Sequence, residues 1–332
     1  MLAAVYFDRA WLISGCLLAS VACGGVESPT ALEPGGVSGA AHTPSAPTEE
    51  AGFFSGVEPS AAAQPGDCRK IDFLFVIDNS FSMEREQASL TRSFPRFISV
   101  IARELRAADF HVMVVDTDAM GPGEAVAAEK HAPSTRDEIC DVTLGAGRRS
   151  SHAGIDCELA SGARFMAADQ PDLAKAFNCI GQVGTVGNSY EQPVGALLEA
   201  TSTTLAQPGA CNASFLRDEA VLVVTLVTDE DDAATSGQPA AWREALLRAK
   251  HGDESALVLL GLVADQNRPE ALPGGPCETL DAAGAPRLQS LVESFRFGSL
   301  GAVCAADYAP FFERAVSVIG DACREFVPPD IR

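Results

Sequence analysis

Four apolar runs of strand length recur along the chain, at residues 71–77, 110–115, 221–227 and 256–263. They are nearly continuous and rich in β-branched residues. That composition suits strands covered on both faces, as in a parallel sheet. Between the first two runs, Leu90, Phe94, Phe97, Ile98, Ile101 and Leu105 recur at helical spacing, which predicts an amphipathic helix. Pro95 lies inside it and is expected to kink or split it. Further helices are predicted at 191–205, 240–250, 286–295 and 308–319. Strand alternating with helix predicts an α/β domain with a doubly wound, mostly parallel central sheet flanked by helices. This domain is expected over residues 68–325, with 326–332 as a C-terminal tail. In such sheets ligands bind beyond the carboxyl ends of the strands.

The pattern before residue 68 is different. Arg9 precedes an apolar stretch at 10–22, too short to span a bilayer as a helix but suited to a signal peptide. It ends Ser20-Val21-Ala22-Cys23, then Gly24-Gly25. This resembles the lipobox of bacterial lipoproteins, and implies a signal peptide at 1–22 and lipidation of Cys23. An ordinary signal peptide cut after Ala22 is the alternative, and Ile13-Ser14-Gly15-Cys16 is a second local match to the box. Residues 24–66 are rich in Ala, Gly, Ser, Pro and Thr and carry no Lys or Arg. Such a segment buries too little apolar surface to offset its chain entropy and reads as a flexible tether over 23–67.

Cysteine usage supports export. The chain has ten cysteines, at 16, 23, 68, 140, 157, 179, 211, 277, 304 and 323, many for a reducing cytosol. No pair is spaced CxxC, so structural disulfides are favoured over a zinc ribbon or a thioredoxin motif. Cleavage before Cys23 removes Cys16, lipidates Cys23 and leaves an even set. The stretch at about 119–183, with Cys140, Cys157 and Cys179, reads as a disulfide-stapled insertion. Formal net charge is −21, which argues against a nucleic-acid surface and fits solubility or the gathering of cations.

The candidate chemistry sits where the strand runs end. After the first comes Asp78-Asn79-Ser80-Phe81-Ser82, a DxSxS sequence. After the third comes Thr228-Asp229, and between them Gly184-Thr185. A hard divalent cation wants oxygen ligands, and these residues offer two carboxylates and three hydroxyls. Ser80 and Ser82 could equally cap the following helix. Together the residues resemble the metal-ion-dependent adhesion site of von Willebrand factor A domains, as found in cysteine-rich bacterial lipoproteins. The resemblance implies a metal held by Asp78, Ser80, Ser82, Thr185 and Asp229, either Mg2+ or Ca2+. It also implies a partner protein that offers a carboxylate to that metal. Asn188 or Ser189 could replace Thr185 as the third-loop ligand. The acidic run Thr228-Asp229-Glu230-Asp231-Asp232 either holds a second cation or is a solvated loop, and Asp116-Thr117-Asp118 could add carboxylates near the metal. The closeness of the termini in A domains further implies a Cys68–Cys323 disulfide.

Catalytic signals are poor. None of the five histidines sits in a ligand-like pair, and GxSxG, HExxH and the P-loop are absent. The expected function is therefore metal-dependent protein binding or adhesion by a non-enzymatic outer-membrane lipoprotein that meets the membrane only through its N-terminal lipid. A structural role in envelope assembly, or a metal-dependent hydrolase, is the alternative. Asp78 is expected beyond the strand and outside the core.

Overall fold

β1 (Lys70–Ile77) alternates between two cores. Ile71, Phe73, Phe75 and Ile77 point to one side of the sheet, and Leu74 and Val76 to the other. This computed structural model describes residues 69–104, 109–118, 135–187, 191–265, 267–268 and 284–329 of the chain. The predicted signal peptide, the Cys23 lipidation site, the tether and Cys68 lie outside the described residues.

After β1 the described elements are α1 (Glu84–Glu104), β2 (Asp109–Asp116), α2 (Arg136–Asp141), β3 (Met166–Ala167), α3 (Leu173–Gly181), α4 (Pro193–Ala200) and α5 (Thr203–Ala206). They continue with β4 (Val221–Thr228), α6 (Pro239–Ala249), β5 (Leu257–Val263), α7 (Pro286–Glu293), β6 (Gly298–Ala302) and α8 (Ala309–Glu325). The strand order is β3-β2-β1-β4-β5-β6. β1 pairs in parallel with β2 and with β4, and β4–β5 and β5–β6 are also parallel. Only the two-residue edge strand β3 runs antiparallel, against β2. The fold is thus the doubly wound α/β class. The chain leaves β1 toward β2 on one side and enters β4 on the other, so the crevice beyond β1 and β4 is the topological switch point.

The face built on Phe73 and Phe75 is covered by α1, α3 and α8 through Phe94, Phe97, Phe177 and Phe312. The opposite face is covered by α4, α6 and α7 through Leu197, Trp242 and Leu291. Pro95 does not split α1, which runs unbroken from Glu84 to Glu104. Pro95 is exposed, and Phe94, Phe97 and Ile101 hold both halves of the helix against the sheet. The helix expected at 191–205 is in fact two. Pro193 occupies the first turn of α4 and leaves Glu191 outside it. α4 stops at Ala200, where the Thr201 hydroxyl donates back to the Leu197 carbonyl, and Ser202 caps α5. Asp78 was expected outside the core, yet it is wholly buried, because it follows β1 inside the crevice and its N–H still donates to the Val227 carbonyl of β4 (2.9 Å).

Cys140–Cys211 and Cys157–Cys179 form disulfides. In the chain-entropy account these contribute roughly 4 and 3 kcal/mol. Cys304 and Cys323 are each in a disulfide as well; the predicted Cys68–Cys323 pairing lies outside the described residues with Cys68. No helix among the described residues is long and apolar enough to cross a membrane.

The rings of Phe94 and Phe177 stack with centroids 3.5 Å apart, and Phe75 meets both edge-on. Phe94→Ala removes the centre of this cluster and is expected to cost about 3–5 kcal/mol. The check is a denaturant titration with unchanged m-value. A loss under about 1 kcal/mol would mean that α1 and α3 do not pack through this stack.

Candidate metal centre

Asp78 is held from two sides. Its Oδ1 accepts the Ser80 N–H (2.7 Å), and its Oδ2 accepts the Thr228 hydroxyl (2.6 Å). The backbone turn that follows brings the Ser80 and Ser82 hydroxyls within 3.2 Å of each other. Ser80 stands at the N-terminus of the 3-10 turn Phe81–Met83 and makes no side-chain capping bond. The capping alternative is therefore not realised for Ser80, and its hydroxyl stays beside Ser82 at the crevice.

Asp229 arrives from the end of β4. It is 2% exposed, and neither carboxylate oxygen has a hydrogen bond of ordinary geometry. Burial pushes its pKa up, and the nearby Ser82 hydroxyl partly offsets this. Glu86, in the first turn of α1, is 3% exposed with Oε2 unpartnered; burial, and next the Asp229 charge, raise its pKa.

Gln87 fixes the third loop. Its Nε2 donates to the carbonyls of Asp78 (2.9 Å) and Gly184 (2.7 Å), and its Oε1 accepts the Gly184 N–H (3.2 Å). Three residues on, the Gly187 N–H donates to the Asn79 carbonyl (3.0 Å). The Thr185 loop is thus stitched at both ends to the DxSxS turn. Thr185 itself is half-buried and Val186 exposed. Gly184 has φ +95°, a backbone region that favours glycine. The structure brings Asp78, Ser80, Ser82 and Asp229 together and holds Thr185 in the adjoining loop; Asn188 and Ser189 lie outside the described residues.

Further acidic groups gather behind Asp78. Glu191 is 3% exposed. Its Oε2 accepts the Thr117 hydroxyl, and its Oε1 has no partner. Its pKa is pushed up to about 9 by burial and then by Asp78, Asp118 and Glu230. Burial, with a contribution from Asp229, raises Asp78 to about 7. No Lys, Arg or His pairs with Asp78, Glu191 or Asp229 among the described residues.

The acidic run after β4 is not a simple solvated loop, because its last two carboxylates receive backbone N–H groups. Asp231 accepts the N–H groups of Arg287 and Leu288 (both 3.1 Å) at the start of α7. Asp232 accepts the Val194 N–H (2.8 Å) at the start of α4 and the Thr235 N–H (2.7 Å). Both carboxylates supply orphan helix-terminal donors with acceptors. Asp116 is likewise taken, by Arg148. His111 sits in β2 beside the Phe215 carbonyl (2.9 Å) and away from the crevice. Glu191, Glu86, Gln87, Asn79 and Thr117 were not marked as site residues by the sequence. Only the Asp116-Thr117-Asp118 triplet carried a signal.

Among the described residues no group of three or more His, Cys, Asp or Glu converges closely enough to hold a metal by itself. A cation here must therefore use hydroxyls and water as well as the two aspartates. That is an all-oxygen donor set, which suits Mg2+ or Ca2+ rather than a thiophilic metal.

No protein-family model matches the chain, and no curated protein matches it. Among solved structures, that of proximal thread matrix protein 1 from the mussel byssus is similar, with TM-score 0.37 and 10% identity. The match covers 76% of this chain, which spans about half (49%) of that one.

The raised carboxylates set a pH dependence for the metal-free protein. Asp78 and Glu191 keep their protons to higher pH folded than unfolded, where 3.8 and 4.5 are the ordinary values. The native state then binds more protons than the unfolded chain, and stability falls as pH rises. The window closes near pH 7 for Asp78 and near pH 9 for Glu191, at up to about 1.4 kcal/mol per pH unit for each group. In EDTA, thermal midpoints are expected to drop between about pH 5 and about pH 8, and saturating Ca2+ or Mg2+ to flatten the drop. A metal-free midpoint that climbs over this interval contradicts the electrostatics described.

Proposed function

We propose that the folded part of this chain is a von Willebrand A-type domain that binds one divalent cation, Mg2+ or Ca2+, and through it a carboxylate of a partner protein. The ion would be held by Asp78, Ser80, Ser82, Thr185 and Asp229. One observation carries the reading: Asp229 buries both carboxylate oxygens without a hydrogen bond of ordinary geometry among the described residues, within the same crevice as the buried Asp78. An isolated buried carboxylate costs several kcal/mol unless it is paired, protonated or bound to metal. When bound, the ion supplies a Lewis-acidic position that accepts an oxygen from outside. The chain's own residues orient it and exclude competing cationic side chains.

The rim suits a protein ligand. Phe81, between the two site serines, is 89% exposed, and Val186, next to Thr185, is 59% exposed. An apolar ring side chain left in water beside a charged crevice is the arrangement of an interface anchor. We further propose that Cys23 carries the lipid and that residues 23–67 tether the domain to the outer membrane, in line with the lipobox resemblance.

Calorimetry with Mg2+ and Ca2+ tests the site. Asp229→Ala is preferred to a change at Asp78, whose carboxylate also bonds the Ser80 N–H and Thr228. The wild type at 100 times Kd should gain about 2.7 kcal/mol of stability, and Asp229→Ala should lose this gain while melting no earlier than wild type in EDTA. A wild type with no heat of binding and no melting shift with either ion ends the reading. For the partner, capture from envelope extracts should fail in EDTA and fall at least about tenfold with Phe81→Ala, the size of one lost anchor contact. Unchanged capture by Phe81→Ala would remove the rim from the interface.

A further inference from the structure

We infer that a second, calcium-selective cation site lies behind Asp78, formed by Asn79, Thr117, Asp118 and Glu191. It does not depend on the site proposed above, since none of these residues is among the ligands assigned there. The oxygens converge. A Cβ built on Gly187 would clash with both Asn79 Oδ1 (2.3 Å) and Asp118 Oδ2 (2.7 Å), so both oxygens pack against the bare Gly187 backbone and lie no more than about 5 Å apart. The Thr117 hydroxyl lies 3.3 Å from that same Asn79 oxygen and donates to Glu191 Oε2. Glu191 Oε1 is buried with no partner among the described residues.

A bound proton satisfies only half of this arrangement. On Glu191 Oε2 it can be donated to the Thr117 hydroxyl, which then donates to Asn79, but Glu191 Oε1 still has no partner among the described residues and stays unsatisfied. A cation uses both carboxylate oxygens and offsets the charges of Asp118 and Glu191 together. The donor set selects the ion. Two carboxylates, an amide carbonyl and a hydroxyl on a loop and a strand end form an irregular cage, which Ca2+ accepts with six to eight ligands. Mg2+ demands near-octahedral geometry and gives up its water reluctantly. With only two acidic side chains converging, the remaining positions fall to water, consistent with the lack of any three-acid cluster.

The test is the number of Ca2+ ions bound by the full chain in calorimetry, compared with Glu191→Gln, Asp118→Asn and Asp229→Ala. The expected count is two ions for wild type, one for Glu191→Gln, one for Asp118→Asn and one for Asp229→Ala. Removing a buried charge should leave Glu191→Gln folded and at least as heat-stable as wild type in EDTA. Should Glu191→Gln nevertheless fail to fold, the Asp118→Asn count decides alone. A count unchanged from wild type in either folded variant overturns the second site. If Asp229→Ala leaves the count unchanged while Glu191→Gln lowers it, the second site stands and the adhesion-type reading falls. An Asp229→Ala variant that binds Mg2+ as tightly as Ca2+ overturns the calcium selectivity.

Discussion

Acidic groups buried without a counter-charge organise the carboxyl end of this sheet. β1 makes the point by itself, because a buried aspartate stands near each of its ends, in opposite circumstances. Asp72, near its amino end, is met by Arg217 through the backbone N–H and the guanidinium (2.8 Å each). The Lys250 ammonium lies close by, donating to the Arg217 and Ala220 carbonyls (2.6 and 2.8 Å). Asp78, just past the other end, has only neutral donors: one N–H and one hydroxyl. The same chemical group is thus neutralised in place at one end of the strand and left charged or protonated at the other. Stability alone would favour the first solution at both ends, since burying an unpaired charge is costly. The second solution makes sense where the missing charge is supplied from outside.

The crevice is also kept from collapsing by its own scaffold. Asp231 and Asp232 follow Asp229 directly but turn away to receive the N-termini of α7 and α4. Arg287 then closes over them, donating to the Gly237 carbonyl (2.8 Å) and lying over the Trp242 ring at 4.4 Å. Arg287 is a cation beside the acidic loop whose guanidinium is spent on carbonyls and a ring. The loop thus separates acids that hold helices from Asp229, whose carboxylate makes no hydrogen bond of ordinary geometry among the described residues. Gln87 performs the equivalent task on the far side, spending both ends of its amide on backbone groups so that the Thr185 loop keeps its distance from Asp78.

Much of this was legible in the chain because β-branched runs and helical periodicity report burial directly. The four long strands, the parallel sheet and the placement of Asp78 and Asp229 at strand ends followed from that pattern. β6 escaped because Gly298-Ser299-Leu300-Gly301-Ala302 has almost no branched residues; its glycines allow close packing, with a Cβ at 298 meeting the Val292 carbonyl at 2.1 Å. β3 escaped because two residues make no pattern. The helix over 191–205 was misjudged at both ends because apolar periodicity hides the stop at Thr201 and says nothing of the start fixed by Pro193. That error concealed Glu191, which looked like an ordinary first-turn acid of a helix and is instead a buried acid in the crevice. The fates of Asp231 and Asp232 were illegible for a related reason: their partners are N–H groups of helices about 40 and about 55 residues away, and only tertiary structure brings them near.

The same distinction bears on how the site relates to the rim. Phe81 sits between two serines whose hydroxyls are turned to one another, so the local backbone sends alternate side chains to opposite sides: the serines inward and the phenylalanine outward. A DxSxS turn imposes this alternation whatever the middle residue is, because positions two apart must face one point. The choice of a large aromatic there is therefore independent of the chemistry beneath it, and burial cannot account for it at 89% exposure. Val186 is similarly placed in the next loop, where Gly184 and Gly187 are tied down to Gln87 and Asn79 and, of the two residues between them, Val186 is exposed and Thr185 half-buried. Two loops fixed by their buried ends thus present two apolar side chains at the mouth of a crevice lined with carboxylates. Neither side chain is explained by burial, and each stands next to a residue of the crevice, Phe81 between Ser80 and Ser82 and Val186 beside Thr185.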